Sequence, residues 1–158
     1  MTNDIWGAAI HESGHAIAVL HYRDVGFHLA LVGKCRINEW GDGGSTNLIR
    51  DEENALPTQV RLAIAYAGGA AEKQFDAPTR SPKALKEDEA HADKVTAHLQ
   101  PAYRLAAQDM GRRLAAKIIA ENESEVRRLA TVLTVKFCIE MADVPTLARP
   151  TPLRTFHP

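Results

Sequence analysis

The sequence predicts an α+β fold that is mainly α-helical, with a small β-sheet between the first and second helices. Residues 4–22, 54–75, 83–99 and 101–141 have the composition and spacing of helices. Residues 25–50 instead carry short apolar runs interrupted by glycine, which is typical of strands and turns. Helices therefore account for most of the chain.

The first helix is predicted from Asp4 to about Tyr22. The side chains of residues 2–4 can cap its first turn, and the carboxylate of Asp4 suits the positive end of the helix dipole. Asp24 and Gly26 end the helical pattern. The apolar side of this helix consists of Ile5, Trp6, Ala9, Ile10, Ile17, Ala18 and Leu20.

Three short strands are predicted in the segment that follows. They cover residues 27–32, 35–37 and 45–49. Gly41–Gly44 precedes the third strand and is a predicted turn, because glycine readily adopts positive φ angles.

The later helices differ in the surfaces that they offer. The second helix has Pro57 in its first turn, where a missing N–H costs nothing. Its segment Gly68–Ala71 forms a face almost without side chains, to which another backbone can come close. The last long helix is predicted to bend at Asn122, and residues 145–158 form an irregular tail that contains prolines.

Length and composition indicate one domain, residues 1–144, ahead of that tail. The net charge of -1 provides no attraction to nucleic acid or to an anionic membrane, so neither is an expected partner. Cys35 and Cys138 are far apart in the chain, which fits a reducing compartment. No apolar stretch is long enough to cross a bilayer and no signal region is recognised, so we expect a cytoplasmic location.

The segment with the clearest chemistry is His11-Glu12-Ser13-Gly14-His15, within the first helix. Residues four apart on a helix lie on one face, about one turn apart. His11 and His15 can therefore direct two imidazole nitrogens at one point, with Glu12 beside them. This pattern is typical of a hydrolytic zinc centre, in which the histidines hold the metal and the carboxylate takes a proton from water.

Such a centre needs a third protein ligand, because a catalytic zinc site has three and one open position. Glu72 and Asp88 are candidate acids, although acidic residues like those around Asp88 are also common near helix N-termini. His21 lies ten residues from His11 and so falls on roughly the opposite side of the helix. The other histidines in the sequence are His28, His91, His98 and His157.

Three segments occur in an informative order. They are His11-Glu12-Ser13-Gly14-His15-Ala16, Ala65-Tyr66-Ala67-Gly68-Gly69-Ala70-Ala71-Glu72, and Asp88 with Ala92. Together they resemble the peptidase domain of the FtsH-type proteases, the membrane-anchored AAA+ zinc metalloproteases of bacteria, over about residues 4–140. The resemblance implies a zincin-like helical peptidase domain, here without an ATPase module, a Walker motif or a transmembrane helix.

The resemblance also implies a role for each matching residue. His11 and His15 would bind one Zn²⁺ per chain, and Asp88 would be its third ligand. Glu12 would be the catalytic base. Glu72 would fix the orientation of a ligand histidine, with a helix-surface acid as the alternative.

The match is weakest around the third ligand. The family commonly has a run of small residues and an asparagine before its aspartate, whereas Lys86-Glu87 precedes Asp88 here. Asp93 with Ala97 has the same spacing as Asp88 with Ala92, which makes Asp93 the rival ligand. The distance along the chain from Gly68–Glu72 favours Asp88.

Gly43, Gly44, Ser45 and Thr46 are candidate substrate-binding residues. An extended peptide could add to an exposed strand edge there, bonded mainly through its backbone. The alternative is an ordinary hairpin turn without a role in binding.

We therefore predict a zinc-dependent metalloendopeptidase that cleaves peptides or unfolded protein segments without ATP. The alternative is a peptide-binding or regulatory module with the peptidase fold and little turnover, against which the intact His11, Glu12 and His15 argue. Because an isolated domain cannot unfold proteins, a separate ATPase or delivery partner could supply substrates. The apolar residues of the last long helix could also support a homo-oligomer.

Overall fold

The computed structural model describes residues 5–27, 29, 31–38, 44–46, 55–77 and 82–149. The fold is α+β and mainly helical, with a small antiparallel sheet, and this confirms the predicted fold class. In chain order the elements are α1 (Ile5–Asp24), β1 (Lys34–Ile37), β2 (Gly44–Thr46), α2 (Thr58–Gln74), α3 (Pro82–Val95), α4 (Pro101–Glu121), α5 (Glu123–Lys136), β3 (Cys138–Glu140), a 3₁₀ turn (Met141–Asp143) and α6 (Val144–Ala148).

Helix α1 is the centre of the fold. Every residue from Gly7 to Leu20 is buried except His15, which is half-buried. The helix packs against α2, α5 and β1, and a helix covered on all sides has no polar face to expose. The predicted one-sided apolar surface is therefore wrong in detail, and Trp6 on that surface is 36% exposed.

Helices α1 and α2 are in direct backbone contact. A Cβ atom added to Gly14 would lie 2.5 Å from the carbonyl oxygen of Ala67 and 2.7 Å from the Cβ atom of Ala71. Both distances are shorter than van der Waals contact, so only glycine fits here. The small-residue face predicted on the second helix thus receives the backbone of the first.

The sheet has the order β2-β1-β3, and both pairings are antiparallel. The predicted strand at residues 35–37 is confirmed as β1, whereas β3 was not predicted and places part of the sheet after α5. The left-handed φ of 62° at Phe137 ends α5 and turns the chain back toward β1. The backbone N–H of Ile37 then donates to the carbonyl of Phe137 at 2.8 Å.

The other strand predictions are partly wrong. None of the described residues among 27–32 belongs to a strand. The N–H of Phe27 donates instead to the carbonyl of Tyr22 at the end of α1, at 3.0 Å. Leu29 is buried in the core without strand pairing. Of the strand predicted at 45–49, the first two residues lie in β2 and the rest fall outside the described residues.

The long C-terminal helix is two helices that meet at Asn122, where a bend was predicted. The Asn122 side-chain amide donates to the carbonyl of Ile118 at 2.8 Å, and the Asn122 backbone N–H donates to the same carbonyl at 3.1 Å, at the end of α4. The prediction of an irregular tail is wrong for residues 145–148, which form part of α6. Burial of Val144 and Ala148 in the core holds this short helix in place. Among the helices described, none combines the length and apolar character needed to cross a membrane.

Candidate metal centre

Three side chains from two helices meet at one point. His11 and His15 lie one turn apart on α1, and Asp88 comes from the first half of α3. The two Nε2 atoms are 3.1 Å apart, and Oδ2 of Asp88 is 3.0 Å from Nε2 of His11 and 3.5 Å from Nε2 of His15. The three atoms therefore form a nearly equilateral triangle, and this group could hold a metal ion.

The other ring nitrogen of each histidine already has an acceptor. Nδ1 of His15 donates to the backbone carbonyl of Ile64 at 2.8 Å, and Nδ1 of His11 contacts Oε1 of the buried Glu72. A carbonyl or an ionised carboxylate can only accept, so each Nδ1 carries the hydrogen. In the neutral imidazoles, both Nε2 atoms then present lone pairs to Asp88.

Such a cluster of lone pairs needs a positive charge. Oδ2 of Asp88 is buried and has no hydrogen-bond partner of normal geometry among the described residues. Burial alone lowers the pKa of His11, but contacts with Asp88 and then Glu72 outweigh it and raise the pKa to about 9. Burial raises the pKa of Asp88, but the two histidines outweigh it and hold that pKa well below its usual range. A proton and a metal ion therefore compete for the same atoms.

Gly68 on α2 leaves the space that an ion would need. A Cβ atom added there would lie 2.5 Å from Nε2 of His15 and 2.6 Å from Nε2 of His11. Any side chain at this position would therefore displace the two ring nitrogens. The small face of α2 is recognisable in the sequence, whereas the position of Gly68 against the two histidine rings appears only in the structure.

Gly68→Ala is expected to abolish stoichiometric metal binding and to destabilise the protein by about 1–3 kcal/mol through overpacking. Gly69→Ala is the matched control, because a Cβ atom there meets only Cδ2 of Leu85, at 3.9 Å. Elemental analysis and thermal unfolding of both variants measure these effects. Full metal content in Gly68→Ala, or an equal loss of metal in both variants, would contradict the conclusion that Gly68 leaves the space for the ion.

Glu12 lies beside this cluster and is 4% exposed. Its Oε2 atom accepts a hydrogen bond from the Thr46 hydroxyl on β2, at 2.9 Å. Strand β2 therefore covers the carboxylate of Glu12, the residue that follows His11. A buried carboxylate beside a metal-binding group is the arrangement from which a general base can act.

The rival ligand Asp93 does not join the group. It is exposed, and its Oδ1 atom accepts a hydrogen bond from Nε2 of Gln108 on α4, at 3.0 Å. One and a half helical turns separate it from Asp88, so the two acids face different neighbours. His28 and His157 lie outside the described residues, and the metal-binding group includes none of His21, His91 and His98.

The predicted substrate platform corresponds in part to β2. Gly43 lies outside the described residues, and Gly44–Thr46 forms this strand, at one edge of the sheet as described. The Ser45 hydroxyl accepts a hydrogen bond from Nε of Arg36 at 3.2 Å, whereas the Thr46 side chain contacts Glu12. Neighbouring side chains of the strand therefore contact different groups: Ser45 contacts Arg36, and Thr46 contacts Glu12.

Two groups at the centre carried little or no signal in the sequence. The Ile64 carbonyl that accepts from His15 is a backbone atom, and backbone atoms leave no trace in residue identity. Thr46 was predicted as part of a strand that binds substrate mainly through its backbone, and the contact of its hydroxyl with Glu12 was not predicted.

Comparison with known proteins identifies no family and no relative from which a function could be assigned to this site. No model of a protein family matches the chain, and a search of curated proteins finds no relative.

Proposed function

We propose that this protein is a zinc metallopeptidase with a zincin-like fold, related to the peptidase domain of the FtsH-type proteases. The observation that carries the proposal is the meeting of His11 Nε2, His15 Nε2 and Asp88 Oδ2 within 3.5 Å of one another. Glu12 follows the first of these residues on the same helix, so α1 supplies the two proposed histidine ligands and the base, and α3 supplies Asp88.

The spacing of the three atoms supports zinc. A tetrahedral zinc ion with bonds of about 2.0–2.1 Å to nitrogen and oxygen separates its ligand atoms by about 3.3 Å. The three separations in this protein are 3.0, 3.1 and 3.5 Å. Two imidazoles and one carboxylate are also a ligand set found at catalytic zinc. We therefore assign one Zn²⁺ per chain to His11, His15 and Asp88.

The surroundings of the ligands support a permanent site. Glu72 holds Nδ1 of His11, and the Ile64 carbonyl holds Nδ1 of His15, so both rings are held with Nε2 directed toward Asp88. Acceptors in these positions also increase the basicity of the ligand nitrogen, and their loss typically costs 10–100-fold in metal affinity or activity. We propose this orienting role for Glu72.

Glu12 is the base in the proposed reaction. Zinc bound at this centre supplies positive charge that acidifies a water molecule and polarises a carbonyl group. Glu12 accepts the proton of the attacking water and delivers it to the nitrogen of the departing amine. Its burial keeps bulk water away from the carboxylate, and the Thr46 hydroxyl bond holds one of its oxygens.

The proposed substrates are peptides or unfolded protein segments. Strand β2 borders Glu12 and lies at an edge of the described sheet, where an extended peptide could add by backbone hydrogen bonds. The backbone groups of Gly44 and Ser45 are the candidates for these contacts. Cleavage requires no ATP, and a separate ATPase or delivery partner would bring substrates that are folded.

The purified protein is expected to contain one zinc per chain and to cleave an unfolded protein such as casein. A chelator should remove both zinc and cleavage, and stoichiometric zinc should restore cleavage. Elemental analysis and a fluorescent-peptide assay measure the two quantities. Protein that binds zinc but cleaves no peptide would favour the peptide-binding alternative. Protein that binds no zinc would contradict the proposed enzyme activity.

A further inference from the structure

Strand β2 presents alternate residues to Glu12. Residues two apart on a strand share one face, so Gly44 and Thr46 face α1 while Ser45 faces away. A Cβ atom added to Gly44 would lie 2.7 Å from Cγ of Glu12, which shows how closely the strand covers this side chain. Two residues later, the Thr46 hydroxyl reaches both the carboxylate and the backbone carbonyl of Glu12.

The Thr46 hydroxyl has one hydrogen and three acceptors within reach. They are Oε2 of Glu12 at 2.9 Å, the carbonyl oxygen of Glu12 at 3.2 Å and Sγ of Cys35 at 3.6 Å. The carboxylate is the nearest acceptor and the one that carries charge, and charge-assisted hydrogen bonds are the stronger ones. It therefore takes the hydroxyl hydrogen.

Cys35 completes the arrangement. Its thiol lies 3.7 Å from the carbonyl oxygen of Glu12 and can donate to it. Burial raises the pKa of this thiol to about 12, so it keeps its hydrogen at neutral pH. The thiol donates to the backbone carbonyl of Glu12, so the hydrogen of the Thr46 hydroxyl is available to the carboxylate.

We propose that Thr46 is a positioning residue for Glu12: the Thr46 hydroxyl donates to Oε2 of Glu12, ties the carboxylate to strand β2 and so fixes its direction. This inference rests on the proposed function, because it assigns Thr46 to the base of the peptidase reaction. It adds a side-chain role to Thr46, which was predicted as part of a strand that binds substrate mainly through its backbone. Strand β2 then has two roles. The Thr46 side chain positions Glu12, and the backbone at the edge of the strand is available to substrate.

Three variants test this role in the zinc-loaded protein. Thr46→Val keeps the shape of the side chain without its hydroxyl, and it is expected to lower kcat by about 10–100-fold with KM and zinc content unchanged. Thr46→Ser restores the hydroxyl and should recover most of the lost kcat. Thr131→Val makes the same chemical change at an exposed site on α5, where the hydroxyl donates to the carbonyl of Arg127 at 2.9 Å, and it should behave as wild type.

Other outcomes would overturn the proposal in recognisable ways. An unchanged kcat in Thr46→Val, or a raised KM with unchanged kcat, would assign Thr46 to packing or to substrate contact. Equal damage in Thr46→Val and Thr46→Ser would also exclude the hydroxyl role. A crystal structure of Thr46→Val gives a readout independent of turnover: the Glu12 carboxylate should change its rotamer, and an unchanged rotamer rejects the inference. Failure of the wild type to cleave peptide would instead count against the proposed function.

Discussion

Glu12→Gln is expected to retain one zinc per chain and to lose peptide hydrolysis by about 10²–10⁴-fold, the usual contribution of a general acid–base group. Glutamine has the same shape, and its amide oxygen can still accept the Thr46 hydrogen bond. It cannot accept a proton from water or return one to the departing amine. The ligands His11, His15 and Asp88 are untouched, so metal content should not change.

The measurement combines kcat/KM on a fluorescent peptide with elemental analysis and a melting curve. Glu121→Gln is the control, because it makes the same chemical change at an exposed site on α4. Glu121 forms an ion pair with the exposed Lys117, at 3.9 Å, and such pairs contribute little. Wild-type cleavage by Glu12→Gln would remove Glu12 from the reaction, whereas loss of zinc would make it a structural residue.

Asp88→Asn is expected to lose zinc with a larger drop in affinity than the roughly 10–100-fold that follows loss of a partner outside the ligand set. Asparagine keeps the size of the side chain but removes its charge, and a neutral amide oxygen is a poor zinc ligand. The variant should therefore be inactive because it holds no metal. Competition with a zinc-binding dye measures the affinity, and peptide hydrolysis measures the consequence.

Asp93→Asn is the matched control for this prediction, since it makes the same change five residues further along α3. Its amide oxygen can still accept from Gln108, and no ring nitrogen of the metal-binding group contacts it. Zinc affinity and cleavage should therefore equal those of wild type. Loss of zinc in Asp93→Asn with retention in Asp88→Asn would reverse the ligand assignment.

The sequence predicted the parts of the centre that lie within single helices. The four-residue spacing of His11 and His15 placed them on one face of α1, and their Nε2 atoms lie 3.1 Å apart. The small face at Gly68–Ala71 predicted a close backbone approach, which occurs at Gly14. Both are consequences of helical periodicity, which acts over a few residues.

Contacts between distant parts of the chain were predicted less well. Strand β3 has only three residues and directly follows a helix, so its pattern was too short to recognise. The break at Asn122 was expected as a bend within one helix rather than as two helices. Apolar residues at 27–32 indicated a strand, but Leu29 is buried without strand pairing.

The sequence by itself determined a mainly helical chain in which two histidines and a glutamate share one helix. Only the tertiary structure decided that Asp88 rather than Asp93 meets the histidines, that Glu72 holds one of their rings, and that Thr46 holds the glutamate. The physical reason is the separation along the chain of the residues that interact. Helical spacing is set by hydrogen bonds between residues four apart, whereas these contacts depend on how α2, α3 and β2 pack around α1.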